Sequence, residues 1–204
     1  MNAAGEFLPP MLIFKCSISN DIFKKVSPSN TVFGYSQNGW LTSGLFVQWL
    51  EHFIKCTKVE KSDQKQILLL LDGHSTHIEN LEAIQLARDY GIIMLSFPNY
   101  TTHRLQPLDR LFLKSLKRNY NEVASTWLRL NPGTVIEQAN ITELFGNAYL
   151  RSVHTEIAIN GFRATGLWPC DRNVIGEEDF VAFIAIVEQS HQESAETTDT
   201  SVIP

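Results

Sequence analysis

The stretch Ile67-Leu68-Leu69-Leu70-Leu71-Asp72-Gly73-His74-Ser75-Thr76-His77 decides the fold of this chain. Its five consecutive aliphatic residues have the length and composition of a strand that is buried on both faces. The run ends at the carboxylate of Asp72, and a polar turn follows. Because functional groups collect at the carboxyl ends of strands in open α/β sheets, Asp72 is the first candidate site residue.

The segments around this strand predict an α/β fold. Residues 79–90 have the apolar spacing of a helix that Gly91 would end, and residues 92–97 have the composition of a second buried strand. Strand, helix and strand in that order predict a parallel pair with a right-handed crossover. Upstream, Thr42 or Ser43 would cap a helix, residues 7–15 predict one short strand, and residues 16–40 are rich in turn residues and predict a loop.

A second carboxylate, Asp109, lies in the first turn of a helix predicted over about 108–129. On a helical wheel it shares the core-facing stripe with Phe112, Leu113, Leu116, Tyr120, Val123, Ala124 and Trp127. A carboxylate on such a face must be paired, capped or bound to metal. Adjacent parallel strands bring their carboxyl-end loops together, so Asp72 and the loop 98–109 should converge on one rim and form a metal site. The local alternative is that each aspartate only caps a turn or favours a helix dipole.

Three histidines, His74, His77 and His103, flank the same rim. Asp72, His74 and His77 could be read as a zinc or iron site, because carboxylate and imidazole suit both metals. The spacing is not a recognised zinc pattern, however, and it favours histidines that donate and accept hydrogen bonds at the rim. The chain has neither a glycine-rich phosphate loop nor a nucleophile elbow.

Charge is distributed unevenly along the chain, whose net charge is -5. Residues 188–204 contain four acidic residues and no Lys or Arg, whereas residues 101–129 contain six basic residues against two acidic ones. Four of these basic residues fall within an arc of roughly 100° on the wheel, and they are Arg110, Lys114, Lys117 and Arg118. Such a cluster is either a solvated face or a surface for the phosphodiester backbone of a nucleic acid.

Composition indicates an intracellular protein. The three cysteines, Cys16, Cys56 and Cys170, are odd in number and far apart, which is typical of free thiols in a reducing compartment. No apolar run approaches the length of a membrane span, and the first residues lack the pattern of a signal peptide. We therefore expect the cytosol or nucleus as the location, with no membrane partner.

Several motifs occur in an order that resembles a known family. They are Asn2-Ala3-Ala4-Gly5-Glu6-Phe7-Leu8-Pro9-Pro10, Asn38-Gly39-Trp40, Leu70 to His77, Phe97-Pro98-Asn99-Tyr100-Thr101-Thr102-His103 and Leu105-Gln106-Pro107-Leu108-Asp109, with Gly161-Phe162-Arg163-Ala164-Thr165-Gly166-Leu167-Trp168-Pro169 after them. The series resembles the DDE superfamily endonuclease domain of pogo/Tigger-type transposases and their domesticated descendants. The resemblance implies a ribonuclease-H-like fold, a DNA partner, nuclear location, and three acidic residues that hold two Mg²⁺ or Mn²⁺ ions for strand cleavage and transfer. It makes Asp72 the second acid and Asp109 the third.

The chain departs from the family pattern in two places. Gly73 stands where many relatives carry Asn, and the first acid of the family lies upstream of the segment in which this chain begins. We therefore expect an N-terminally truncated DDE core over 1–130, forming a partial ribonuclease-H-like fold, then a C-terminal helical extension over 131–187 and a disordered acidic tail over 188–204.

The missing first acid predicts an endonuclease domain that has lost cleavage activity. The alternative is a non-catalytic domesticated interaction module or relic. In either case a protein partner or an oligomer would cover the truncated core. Within the extension, Asn140 and Glu143 predict the start of one helix reaching about Ile159, and residues 177–187 predict another short helix.

Overall fold

The computed structural model describes residues 1–15, 27–61, 66–98 and 101–176, and in these ranges it confirms an α/β fold. The predicted helix at 177–187 and the acidic tail lie outside the described residues. The strands are β1 Met11–Phe14, β2 Val32–Tyr35, β3 Ile67–Leu71 and β4 Ile92–Ser96. The helices are α1 Ser43–Thr57, α2 Ser75–Ile78, α3 Leu81–Asp89, α4 Thr102–Leu105, a π-helical turn Leu108–Phe112, α5 Leu113–Leu130, α6 Gln138–Ser152 and α7 Thr155–Ala164, followed by a 3₁₀ turn Arg172–Val174. None of the described helices is long and apolar enough to cross a membrane.

The predicted pair of parallel strands is confirmed. β3 and β4 pair from Ile67 opposite Ile92 to Leu71 opposite Ser96. The connection runs through α3, whose first turn is capped by the side chain of Asn80 accepting from the Ala83 N–H at 3.2 Å. Gly91, at φ +63°, follows the end of this helix in the left-handed conformation that glycine adopts without a steric penalty.

The prediction that the first of these strands is buried on both faces is wrong. α1 and α3 cover one face, where the core contains Phe46, Val47, Leu50, Phe53, Ile54, Leu71, Ala83, Ala87 and Ile92. On the opposite face Leu68 is 57% exposed and Leu95 is 52% exposed. Side chains alternate along a strand, so helices packed on one side of a two-stranded sheet leave every second residue uncovered in the described structure.

A second parallel pair, β1 with β2, corrects the prediction of a loop over residues 16–40. Residues 16–26 lie outside the described ranges, but Val32 to Tyr35 form a strand in register with Met11 to Phe14. A Cβ added at Gly34 would lie 2.7 Å from the Met11 side chain and 2.8 Å from that of Leu45. The glycine therefore allows β2 to approach β1 and α1 closely. Because turn residues flank this four-residue strand on both sides, the sequence pattern did not indicate a strand there.

The helix predicted at about 108–129 is present, but it begins with the π-helical turn. The wider turn rotates the residues after Phe112 relative to a regular wheel. Leu113, predicted to face the core, is consequently 44% exposed, whereas Asn119 is buried and donates a hydrogen bond to the Ser152 hydroxyl at 2.8 Å. Asp109 lies within the π-helical turn.

The single helix predicted from Asn140 to Ile159 is instead two helices. α6 begins two residues earlier, where Glu137 and Asn140 form a reciprocal capping box, and it ends at Ser152. The His154 ring then donates to the Arg151 carbonyl at 2.9 Å, which satisfies an acceptor at the helix end, and α7 follows. α6 packs against α5 through Val123, Leu144 and Ala148.

Candidate metal and nucleic-acid site

Asp72 is the first residue after β3, at the carboxyl end of the parallel pair. Leu71 anchors the end of the strand because its side chain is buried in the core. The Asp72 carboxylate remains accessible, with 42% of the side chain exposed, and accepts from the backbone N–H of His74 at 3.4 Å. A carboxylate held at a strand end with an open face is available to a ligand from solvent.

His77 fixes one side of this carboxylate. Its Nδ1 lies 2.7 Å from Asp72 Oδ1, and only 11% of the side chain is exposed. The ring also packs against the Phe46 ring with centroids 4.5 Å apart, which attaches it to α1. This contact between Nδ1 and Oδ1 does not have hydrogen-bond geometry, so the buried Nδ1 atom of His77 makes no hydrogen bond in the described structure. His77 is therefore placed to limit the movement of the Asp72 carboxylate.

Asp109 lies in the π-helical turn and shares the rim with Asp72. Burial raises the pKa of the Asp109 carboxyl, and repulsion from Asp72 raises that pKa further, while His103 opposes the shift. The two carboxylates are therefore within range of a charge interaction, although 109 - 72 - 1 = 36 residues lie between them in the chain. Two oxygen donors that repel each other are a donor set suited to a hard divalent cation.

Gly161 of α7 supports the position of Asp109, and nothing in the local helical pattern predicted this role. A Cβ at this glycine would lie 3.0 Å from the Pro107 carbonyl oxygen. The bare backbone of α7 therefore allows close approach to Pro107, which is itself buried immediately before the π-helical turn. Gly161 belongs to the quoted motif that runs from Gly161 to Pro169. That motif is the feature of the sequence that could have indicated this role.

The other two rim histidines are placed differently from His77. His74 caps α2, and its Nδ1 lies 2.9 Å from the Thr76 hydroxyl, so this nitrogen is occupied locally. His103 is exposed on α4 and acts on Asp109 through charge. Across the described ranges, no group of three or more His, Cys, Asp or Glu side chains is arranged to hold a metal ion. The alternative zinc or iron site at Asp72, His74 and His77 therefore has no assembled ligand set.

The four basic residues predicted to contact nucleic acid all have exposed side chains. Arg110 directly follows Asp109, and Lys114, Lys117 and Arg118 continue along the first turns of α5. These basic residues therefore follow Asp109 along the π-helical turn and the first turns of α5. Their exposure is compatible with phosphate contacts and equally with a solvated helix face.

Comparison with known proteins identifies the family. The family model described as DDE superfamily endonuclease matches residues 1–154, which is most of the chain. The chain belongs to this family. DDE superfamily endonucleases generally use divalent metals, and the Asp72 and Asp109 carboxylates of this DDE domain are oxygen donors of the type those metals prefer.

A curated relative of this DDE domain is described as MFS-type transporter clz9 of Cochliobolus lunatus. It is 30% identical over 178 residues, which cover 86% of this chain and 19% of that protein. The chain therefore spans about a fifth of the length of the relative. No solved structure matches the DDE domain.

Proposed function

We propose that this chain is a ribonuclease-H-like DDE domain of the pogo/Tigger type, derived from a transposase that cleaves and transfers DNA strands with divalent metal ions. The observation that carries the proposal is that Asp72, at the carboxyl end of β3, lies near enough to Asp109 for its charge to raise the pKa of the Asp109 carboxyl, after burial. Family membership supplies the reaction class. The fold division at about residue 130 and a nuclear location belong to the same proposal.

In this proposal Asp72 and Asp109 hold Mg²⁺ or Mn²⁺. Paired divalent ions stabilise the attacking and leaving oxygens of an in-line displacement at phosphorus. His77 keeps the Asp72 carboxylate in place, because its ring is wedged against Phe46 and in contact with Oδ1. Asp109 pays a desolvation and repulsion penalty while it is ionised, and a bound cation would relieve that penalty.

The substrate in this proposal is DNA, held by phosphate contacts. Arg110 in the π-helical turn and Lys114, Lys117 and Arg118 in the first turns of α5 are exposed, and Arg110 directly follows Asp109. Lys and Arg side chains that neutralise phosphates provide affinity without reading sequence. The contacts would therefore place the backbone of DNA along α5, with one end of the bound segment at the metal site.

Two carboxylates do not make a complete three-acid site. The described residues offer no third acidic ligand beside Asp72 and Asp109, and Asp21 and Asp63 lie outside the described ranges. We propose that the polypeptide 1–204 by itself binds a divalent cation weakly and does not nick duplex DNA.

An interaction module is the second candidate function, and the uncovered sheet favours it. A groove of about 1180 Å³ runs past the exposed face of β3 and β4 and is lined by Leu68, Leu70 and Leu95, among others. Large apolar surfaces left in contact with water commonly mark places where proteins associate. A protein partner or a second copy of the chain would cover this surface, whether or not the metal site is active.

Calorimetric titration with Mn²⁺ and Mg²⁺ tests the metal site. Asp72→Asn and Asp109→Asn should each abolish measurable binding, since each removes one of two charged donors. His77→Ala should weaken binding by about tenfold or less, because His77 acts through Asp72. Asp89→Asn is the matched control, since Asp89 is an exposed carboxylate paired with Lys61 at 3.8 Å.

Two results would contradict the proposal. Strong loss of binding in His77→Ala with little change in either aspartate variant would support a transition-metal site instead. Metal-dependent nicking of DNA by residues 1–204 that disappears in Asp72→Asn would show that two aspartates suffice.

A further inference from the structure

The motif Asn38-Gly39-Trp40 has no role in the proposed metal site, and its tryptophan is exposed at the end of a hydrogen-bonded turn. The Gly39 N–H donates to the Ser36 carbonyl at 3.2 Å, and the Ser36 hydroxyl donates to the Trp40 carbonyl at 2.7 Å. Gly39 adopts φ +75°, the left-handed conformation that this tight turn requires. The turn thus restrains the backbone at Trp40, whose residue surface is 76% exposed.

Trp40 lies shortly before the N-terminal end of α1, which begins at Ser43. The Asn80 side chain donates to the Ser43 carbonyl at 2.8 Å, and Phe46, one turn further on, packs against His77. His77 in turn contacts Asp72. Two residues, Leu41 and Thr42, lie between Trp40 and Ser43, so the Cα atoms of Trp40 and Ser43 are at most about 11 Å apart. The Trp40 backbone is therefore connected, through the start of α1, to residues that contact Asp72.

A basic residue lies beside the turn that precedes this indole. Lys15 is exposed at the end of β1, and its backbone nitrogen lies 3.6 Å from the position that a Cβ would take on Gly39. The backbones of Lys15 and Gly39 are thus in contact, next to Trp40. An aromatic side chain combined with a cation is the usual surface for unpaired nucleotides, whose bases stack while phosphates meet the charge. A base inside a duplex keeps its faces stacked on its neighbours and has none free for the indole.

We propose that Trp40 stacks on an unpaired base of the bound DNA and that Lys15 contacts an adjacent phosphate. The inference rests on the proposed DNA substrate and makes it more specific. The DNA class that this domain recognises contains single-stranded or frayed nucleotides beside the Asp72 and Asp109 rim. Trp40 is a positioning residue, since it acts on the substrate away from the reacting phosphate.

Fluorescence anisotropy with labelled DNA tests the stacking contact on the full 1–204 chain. The probes are a single-stranded oligonucleotide and its blunt duplex. Trp40→Ala should weaken binding to the single strand by about 5- to 100-fold, the effect expected for loss of one base–aromatic stack. Trp40→Phe should restore most of the affinity, because its ring still stacks. Neither change should alter binding to the blunt duplex by more than about twofold.

Trp168→Ala is the matched control, because Trp168 is also exposed, at 63%, and its loss should leave both affinities unchanged. A double substitution, Lys114→Glu with Lys117→Glu, reports on the proposed phosphate face independently. It should weaken binding to both probes. Circular dichroism melting of each variant verifies that the fold is retained, which is expected because all four substituted side chains are exposed.

The outcomes separate the two proposals. If the lysine variant weakens binding but Trp40→Ala does not, or if Trp40→Ala weakens both probes equally, the stacking inference is wrong and the DNA-binding proposal stands. If the unaltered chain binds neither probe, both proposals are wrong for this polypeptide.

Discussion

Among single residues, Asp109 has the clearest conflict between stability and function. Its carboxyl is partly buried and faces the charge of Asp72, and both effects raise its pKa in the folded chain. A carboxyl with a raised folded-state pKa stabilises the fold while it is protonated, and that contribution is lost as pH rises through the raised pKa. At neutral pH without metal, ionised Asp109 is therefore unfavourable for folding.

We expect Asp109→Asn to raise the melting temperature of the metal-free chain at pH 7. The amide keeps the shape of the side chain and removes the repulsion from Asp72. Each kcal/mol gained corresponds to about 2 to 4 °C in a chain of this size. Added Mn²⁺ should stabilise the unaltered chain and leave the variant unchanged. Thermal melts with and without Mn²⁺, repeated at decreasing pH, provide the measurement.

The difference between variant and unaltered chain should shrink as pH falls and Asp109 becomes protonated. A variant that melts below the unaltered chain at pH 7 would show that the Asp109 carboxylate makes stabilising contacts. It would contradict the expectation that ionised Asp109 destabilises the metal-free chain.

Among the elements, α7 and the π-helical turn depend on each other. Gly161 lets α7 approach Pro107, and the π-helical turn that contains Asp109 begins at the next residue, Leu108. Phe112, at the other end of this turn, is buried and packs against Phe7 with ring centroids 5.0 Å apart. The position of one carboxylate thus relies on packing from both the first residues and the C-terminal helices.

Gly161→Ala should destabilise the chain by about 1 to 3 kcal/mol, because the added methyl group meets a backbone carbonyl that cannot move freely. The substitution should also weaken Mn²⁺ binding, since relief of the contact displaces Pro107 and the turn after it. Chemical denaturation and calorimetry measure the two effects.

Gly44→Ala is the control within another helix. A Cβ there meets nothing within 4 Å, and replacing a helical glycine by alanine should stabilise by roughly 0.5 to 1 kcal/mol. Equal effects of the two substitutions would mean that helix propensity, rather than contact with Pro107, determines the outcome at Gly161.

At the scale of the whole molecule, the described core is divided. One cluster lies between α1, α3 and the β3–β4 sheet, and another lies between α5 and α6. The boundary proposed near residue 130 follows the end of α5 at Leu130, but packing between α5 and α6 joins the two sides. The face of the β3–β4 sheet opposite α1 and α3 carries the exposed residues Leu68 and Leu95. Association through this face would remove their side chains from water.

We expect the chain to associate in a concentration-dependent manner through this face. Leu68→Thr combined with Leu95→Thr should reduce association, measured by light scattering after size exclusion, and should change stability by about 0.5 kcal/mol or less per site because both residues are half exposed. Ile92→Ala on the core face is the contrasting variant and should cost about 2 to 5 kcal/mol. A chain that stays monomeric at all concentrations, with no response to the double substitution, would argue against self-association.

The sequence by itself determined the features that depend on neighbouring residues. The aliphatic run 67–71, the strand at 92–96 and the Thr42 cap of α1 are encoded by composition, period and turn residues within short windows. The order of motifs from Asn2 to Asp109 likewise predicted the family that comparison then showed. These signals are local, so they can be read without knowing what lies across the fold.

Only the tertiary structure decided how the parts meet. Burial on one face of β3, the four-residue strand β2, the π-helical turn and the support of His77 by Phe46 all depend on residues distant in the chain. The sequence predicted one rim for Asp72 and Asp109, but the burial and repulsion that raise the pKa of the Asp109 carboxyl depend on packing between distant segments. Packing between distant segments selects among locally acceptable conformations, and it places the candidate site at the rim.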